Sequence, residues 1–294
     1  TVVAGSVNCY FSTMTTKHIA KILEGGGLRP LFQPIVSMAG RSIWGYEGLI
    51  RGCDPRSSAV IQPRELFEIA AGEEESVTLD AACQAAILQD YAGKSKSNPE
   101  TRLFINAHAA SVMETADPAR LADETARYGF RPDDIVIEID ESEVADTGLL
   151  SSFIGSHREQ GFLIAFDDFG NGGCSMERIS QLHPDFVKLD ISLIRNIHQE
   201  TSSQQKFARI LAVAHAAGSV IIAEGVETED EAGETVRLGG DLIQGFYFSR
   251  PAVLASFNRY LARRIGALCQ CVKTAPPASA GERVPETMRR ELPG

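Results

Sequence analysis

Eight short β-like runs punctuate the chain between residues 31 and 246, and their number and spacing limit the folds open to it. They are Leu31–Val36, Ile43–Arg51, Leu103–Ala107, Ile135–Ile139, Phe162–Asp168, Phe186–Asp190, Val220–Glu224 and Asp241–Phe246. Most are continuous apolar runs, the pattern of strands buried on both faces. Helical patterns at Glu143–Gln160, Ser203–Ala217 and Thr228–Leu238 separate the later runs, and Gly161, Gly218 and Gly239 follow them as stops. Strands alternating with helices predict an α/β fold, a (β/α)8 TIM-like barrel. One connection departs from that pattern. Only Ser37–Ser42 separate the first two runs. This is too short for a parallel crossover, so the pair must be a hairpin and the first strand antiparallel. A doubly wound open sheet is the rival, but eight strand candidates without a Gly-rich phosphate loop favour the barrel.

The domain boundaries follow. Residues 1–15 read as a poorly ordered N-terminal leader and 16–265 as the barrel. Residues 266–294 read as a flexible tail or linker, since from Lys273 the sequence is proline-rich and without periodicity. The chain begins at Thr1 rather than Met, as a piece of a longer protein would. No run is long and apolar enough to span a membrane, and residues 1–13 lack the basic and apolar regions of a signal peptide. Hence no membrane contact is expected from this segment. A net charge of −11 argues against binding a nucleic-acid polymer, whose phosphates need basic patches. The six cysteines form no pair of CxxC knuckles. A core of this size needs no disulfides, so the reading is a reducing, cytoplasmic compartment.

Polar residues interrupt the apolar runs or stand at their ends: Glu47, Asn106, Glu138, Asp167 with Asp168, Lys188, Glu224 and Gln244. In a barrel, the C-terminal strand ends share one mouth, where such enzymes act. Any one of these residues reads equally well as a satisfied buried polar group. Five carboxylates in one mouth do not, because unpaired buried carboxylates cost several kcal/mol each. Lys188 alone cannot neutralise them, whereas divalent cations can. Carboxylates and an amide oxygen, without His or Cys, suit Mg2+, Mn2+ or Ca2+ and disfavour zinc. Six such side chains exceed what one Mg2+ takes from protein, and adjacent aspartates suit two ions. Two metals about 3.5–4 Å apart are the usual device for in-line phosphoryl displacement. Phosphodiester hydrolysis is therefore within reach of this chemistry.

Eight segments, FQPIV (32–36), EGLIR (47–51), INAH (105–108), EIDE (138–141), DDFGNG (167–172), VKLD (187–190), AEGVET (223–228) and QGFYFSRP (244–251), are similar in order and spacing to the EAL domain phosphodiesterases. The resemblance spans about residues 16–262. It implies a barrel with a reversed first strand, cyclic di-GMP as substrate and linear pGpG as product. It implies two Mg2+ or Mn2+ ions per site on Glu47, Asn106, Glu138, Asp167, Asp168 and Glu224, with a water between them that attacks phosphorus, and inhibition by Ca2+. Lys188 would hold that water and stabilise developing charge, with Glu47, Glu141 and Glu227 counted beside it as catalytic. Arg51 would grip a phosphate oxygen, and Gln33, Asp190 and Gln244 would line the nucleotide pocket. A homodimer is implied, as are sensor or GGDEF-type domains fused outside this chain. Glu47→Gln and Lys188→Ala are each predicted to abolish turnover and leave melting near that of the parent.

Departures from the family pattern carry expectations of their own. Gly48 stands where the family has the Ala of EAL, a small change that leaves the ligand intact. Asp140 stands where threonine is usual, and His108 where the pattern N-x-S has serine. The loop after the Asp pair reads DFGNGGCSM instead of DFGTGYSSL, with Asn171, Gly173, Cys174 and Met176 altered. Complete ligands favour an active enzyme. The altered loop favours the alternative, a weak or inactive cyclic di-GMP receptor. A Mg2+ barrel enzyme of another chemistry, such as an enolase-type reaction, is opposed by the whole motif set.

Overall fold

The structure, a computed structural model, describes residues 19–20, 22–23, 26–54, 57–70, 73–94, 101–114, 117–170, 175–254 and 265. The predicted leader (1–15) and tail (266–294) lie outside the described residues, as do Asn171–Cys174 of the altered loop. Among the described residues no helix is long and apolar enough to cross a membrane.

The strands are β1 (Leu28–Ser37), β2 (Ser42–Cys53), β3 (Val60–Ile61), β4 (Arg102–Asn106), β5 (Ile135–Ile139), β6 (Leu163–Phe169), β7 (Phe186–Leu189), β8 (Val220–Ala223) and β9 (Leu242–Gln244). The helices are α1 (Pro63–Ala70), α2 (Glu73–Lys94), α3 (Ala109–Met113), α4 (Pro118–Arg127), α5 (Thr147–Glu159), α6 (Met176–Leu182), α7 (Ile191–Ile194), α8 (Thr201–Ala216) and α9 (Glu229–Arg237). All eight predicted strands are present. The short β3, which pairs with the end of β2, was not among them. The other eight close a barrel in the order β1-β2-β4-β5-β6-β7-β8-β9, with β9 returning to β1. β1 is antiparallel to both neighbours, as its hairpin requires. The remaining barrel pairings are parallel.

The predicted helix at Glu143–Gln160 begins later, at Thr147. Asp146 stops it from starting sooner: its carboxylate accepts from the N–H groups of Gly148 and Leu149, a cap that needs extended backbone at Asp146. Gly161, Gly218 and Gly239 each take positive φ just beyond a helix, as predicted for the stops.

Inside the barrel, one face of each strand builds a dry floor. Ile35, Phe104, Val136, Ala165, Phe186, Val220, Ile222 and Leu242 are buried against one another. Trp44 joins them through a bulge. The β1–β2 register passes from Ile35↔Gly45 to Val36↔Ile43, which leaves Trp44 as the extra residue. Its ring lies 5.1 Å from Phe186 and 6.0 Å from Phe104, while the Arg102 guanidinium covers it at 4.9 Å. This aromatic plug closes the bottom of the barrel, so any ligand must enter from the opposite mouth.

Candidate functional site

Strand side chains repeat their direction every second residue, so the layer above the floor is dictated by the floor. Two residues on from Phe104, Val136, Ala165, Phe186, Ile222 and Leu242 come Asn106, Glu138, Asp167, Lys188, Glu224 and Gln244. In β2, Glu47 follows Gly45. In the reversed β1, Gln33 lies two residues before Ile35, and it pairs directly with Glu47. Every strand of the closed barrel thus places one polar residue at a single level.

Lys188 is the hub of that layer and is buried. Its Nζ lies 2.6 Å from Glu138, 2.8 Å from Glu224, 2.9 Å from Asp167 and 3.7 Å from Glu47. Burial alone would lower its pKa. The surrounding carboxylates outweigh burial and hold it well above the ordinary lysine value. Burial pushes the carboxyls of Glu138 and Glu224 well up, against the pull of Lys188. Asn106 Nδ2 donates to Glu138 at 3.2 Å. Gln244 Nε2 donates to Glu47 Oε2 and, at 3.2 Å, to Gln33 Oε1. Gln33 in turn donates to the Ser249 carbonyl at 3.0 Å.

Asp167 and Asp168 are consecutive, so a regular strand would send them to opposite faces. A bulge brings them together. Between Phe166↔Val187 and Phe169↔Leu189, β6 gains one residue over β7. Asp168 adopts the left-handed region at φ 52°, and its N–H donates to Asp167 Oδ1 at 3.0 Å. Such backbone is costly for a residue with a side chain and concentrates at functional sites. As a result, oxygens of Asp167, Asp168 and Glu224 all lie within 4.8 Å of one another. The Asp168 pKa is pushed up to about 6, by burial first and then by Asp167.

The residues fit hard divalent cations. Among the described residues the carboxylates outnumber the cations here: Glu47, Glu138, Asp167 and Glu224 share the Lys188 ammonium, and Asp168 lies beside two of them.

Four candidates stand outside this layer. Arg51 has the inward parity of Glu47 and Leu49 but lies higher on β2, half-buried, with Nη1 donating to the Ile50 carbonyl at 2.7 Å. Asp190 caps α7, accepting from the Ser192 N–H at 2.9 Å. Glu141 and Glu227, grouped with the catalytic residues in the sequence reading, are each committed to an arginine. Fully buried Glu141 takes Arg178 at 2.6 Å and the Ser175 N–H at 3.2 Å, where the chain returns from the Asp167–Asp168 loop. Glu227 pairs with Arg195 at 2.9 Å. Neither is among the carboxylates that Lys188 contacts. Both brace the loops that flank the mouth.

Sequence reasoning missed these arginines, because nothing in their spacing marks a partner 37 or 32 residues away. It also missed Glu231, which accepts from the N–H groups of Asn196, Glu227 and Thr228. Burial would raise its pKa, but these bonds outweigh burial and hold it below the ordinary value. A signal for Glu231 was present, since Thr228-Glu229-Asp230-Glu231 is a capping-box pattern. His108, in the place of serine, keeps the serine's capping capacity: Nδ1 accepts from the Ala110 N–H at 3.2 Å, and the ring stacks on Phe67. Burial lowers its pKa, which favours the neutral ring this bond needs.

Gly48 has a cause that its size conceals. A Cβ there would meet Ile87 Cγ2 of α2 at 2.4 Å, so Ile87 fills the space of the usual alanine methyl. Gly48→Ala is therefore expected to cost about 1–3 kcal/mol, as overpacking does. Adding Ile87→Leu, which removes the β-branch, should recover more than half. Thermal melts check this, and a Gly48→Ala chain as stable as its parent would show that the site relaxes freely.

A model of the EAL domain family matches residues 17–251. The chain is 28% identical over 238 residues to the cyclic di-GMP phosphodiesterase PdeF of Escherichia coli K12, covering 81% of this chain and 32% of that protein. It is 27% identical over 247 residues to the cyclic di-GMP phosphodiesterase PdeR of the same strain, covering 84% and 37%. The chain thus spans about a third of the length of these curated relatives. Among solved structures, the manganese and cyclic di-GMP complex of BlrP1 from Klebsiella pneumoniae at pH 6 superposes with a TM-score of 0.70. It is 29% identical and covers 79% of this chain and 57% of that one. A standalone EAL protein from Vibrio cholerae O395, in its cyclic di-GMP-bound form, has a TM-score of 0.67 and 26% identity, covering 76% and 92%. The family match runs through all eight barrel strands and the whole polar layer, and the chain belongs to the EAL domain family.

Proposed function

We propose that this chain hydrolyses cyclic di-GMP to linear pGpG at the barrel mouth, using two Mg2+ or Mn2+ ions. The observation that carries the reading is the layer itself: oxygen donors from successive strands around one buried ammonium. Glu47, Asn106, Glu138, Asp167, Asp168 and Glu224 would hold the ions. When bound, these would neutralise the carboxylates and supply Lewis-acid activation of water and phosphate. Water adds across one phosphodiester, a P–O bond breaks, and a terminal phosphate and a hydroxyl result.

The protein's own groups have distinct parts. Lys188, which the surrounding carboxylates hold as an ammonium before metal binds, is placed to donate hydrogen bonds to oxygens that gain charge. Gln244 Oε1, buried and with no hydrogen-bond partner among the described residues, is free to accept from the nucleotide, beside Gln33. Arg51 binds a phosphate oxygen at the rim, and Asp190 faces the same pocket. Glu141 and Glu227 are positioning residues for the two flanking loops. The barrel works as a homodimer, with sensor or GGDEF-type domains attached outside this chain, in the cytoplasm.

The test is incubation with cyclic di-GMP and separation of products by chromatography. We expect pGpG with Mg2+ or Mn2+, and none with chelator. Ca2+ should support binding without turnover, because it prefers longer and looser coordination. The altered loop DFGNGGCSM favours a second reading, a non-catalytic receptor. Cyclic di-GMP binding without product in either Mg2+ or Mn2+ would leave that reading alone standing.

A further inference from the structure

Among the buried polar side chains of helix α2, Asp80 and Gln84 lie one helical turn apart and are not used by the site. Gln84 Nε2 donates to the main-chain oxygen of Asn106 at 3.2 Å and to Asp80 Oδ2 at 3.3 Å. The same Asp80 oxygen accepts from the Ser111 hydroxyl at 2.6 Å and from the His108 N–H at 3.2 Å. Arg120 donates to Gln84 Oε1 at 3.1 Å, which fixes the amide with its NH2 toward Asn106. Together these bonds grip the backbone from Asn106 to Ser111.

Their surroundings make them matter. Strand ends are usually held by apolar packing. Here a cavity of about 180 Å3 lies against Asp80, Gln84, Ala107 and Ser111. On that side the segment meets the cavity, and these hydrogen bonds tie its backbone to α2. A buried carboxylate and amide are a costly way to fill a helix face, and apolar residues of the same volume would stabilise at least as well. What the polar pair supplies is orientation. Asn106 is the end of β4, with its own amide already directed to Glu138.

We propose that Asp80 and Gln84 are positioning residues for Asn106 and, through it, set the metal affinity of the barrel mouth. The inference rests on the reading of Asn106 as a metal ligand. Outer groups that orient a ligand typically alter metal affinity by about 10–100-fold when removed.

The test measures Mn2+ affinity of the whole chain by electron paramagnetic resonance, alongside thermal melting. The variants are Gln84→Leu, Asp80→Ala and Asp80→Asn, in the parent and in an Asn106→Ala background. Gln84→Leu and Asp80→Ala should each weaken Mn2+ binding about tenfold in the parent. Asp80→Asn keeps an oxygen for Ser111 and His108 and should stay within about twofold. In the Asn106→Ala background the same changes should add less than about twofold, because the residue they act through is gone. Equal losses in both backgrounds, or no loss from Gln84→Leu in the parent, would overturn the proposal. If Asp80→Ala fails to fold, Gln84→Leu, close in volume, decides the matter. Parent-like Mn2+ binding by Asn106→Ala would remove both the ligand reading and the proposal. Weakened binding by Asn106→Ala with unchanged Gln84→Leu would remove the proposal alone. A parent chain that binds no Mn2+ overturns both.

Discussion

Replacing Lys188 with alanine is expected to lower cyclic di-GMP turnover by about a thousandfold, the upper range for losing one preorganised donor at a reacting oxygen. The same change should also destabilise the metal-free protein. From sequence alone, melting of the Lys188→Ala chain is expected to stay near that of the parent. The geometry reverses that second expectation. Among the described residues, Lys188 is the single cation in contact with Glu47, Glu138, Asp167 and Glu224, and it is 1% exposed. Removing one partner of a buried ionic group costs about 3–5 kcal/mol. For a chain of this size that lowers the melting point by roughly 10 °C. The drop should be measured at pH 8 with chelator, where the orphaned carboxylates are least able to escape by taking protons. Saturating Mn2+ should restore part of it, since cations replace the lost charge. A Lys188→Ala chain that keeps a tenth of parental turnover would show that the ammonium is structural. Unchanged melting with chelator would show that the carboxylates relax into water once it is gone.

The parts of the site that could be read from sequence share one property: they sit inside a pattern that their own identity violates. Glu138 in Ile135–Ile139 and Lys188 in Phe186–Leu189 are charges in runs that the core otherwise fills with apolar residues. The floor-to-site step of two residues was implicit in the strand period. The reversed β1 followed from the length of Ser37–Ser42 alone. What stayed hidden depends on contacts between distant residues or on backbone irregularity. No local pattern distinguishes Trp44 as the residue a bulge turns into the floor. Two adjacent aspartates in a strand would point apart, and only the bulge with positive φ at Asp168 unites them. Glu141 looks like a site carboxylate from its place in EIDE, yet Arg178, from a helix beyond the next strand, claims it. Gly48 looked like a neutral loss of a methyl because Ile87 lies on another element. Fold was legible because periodicity is local. The polar layer was legible because charge in a core is anomalous. Division of labour among the carboxylates was not, since it depends on which cation each one meets.

Divalent metal is expected to raise the melting point far more at pH 8 than at pH 5.5. In the metal-free protein, burial raises the pKa values of Glu138, Glu224 and Asp168, the last to about 6. In the unfolded chain these carboxyls ionise at their ordinary values, near pH 4. Between those limits the folded state holds more protons than the unfolded one. The linkage sign is therefore negative: metal-free stability falls as pH rises from about 4 through the raised values. Lys188 does not offset the trend, because its own pKa is held well above the ordinary lysine value and it stays charged throughout. Divalent cations bind the ionised oxygens and compete with those protons, so metal affinity must rise over the same interval. Stabilisation by ligand grows as RT ln(1 + [L]/Kd), and a thousandfold excess over Kd is worth about 4 kcal/mol. At about 2–4 °C per kcal/mol, saturating Mn2+ should add roughly 10 °C at pH 8 and only a few degrees at pH 5.5. Paired thermal melts with Mn2+ or chelator across that range measure the difference directly. A metal shift that is constant with pH, or larger in acid, would mean that the carboxylates around Lys188 are already ionised in the metal-free protein and that protons are not what the ions displace.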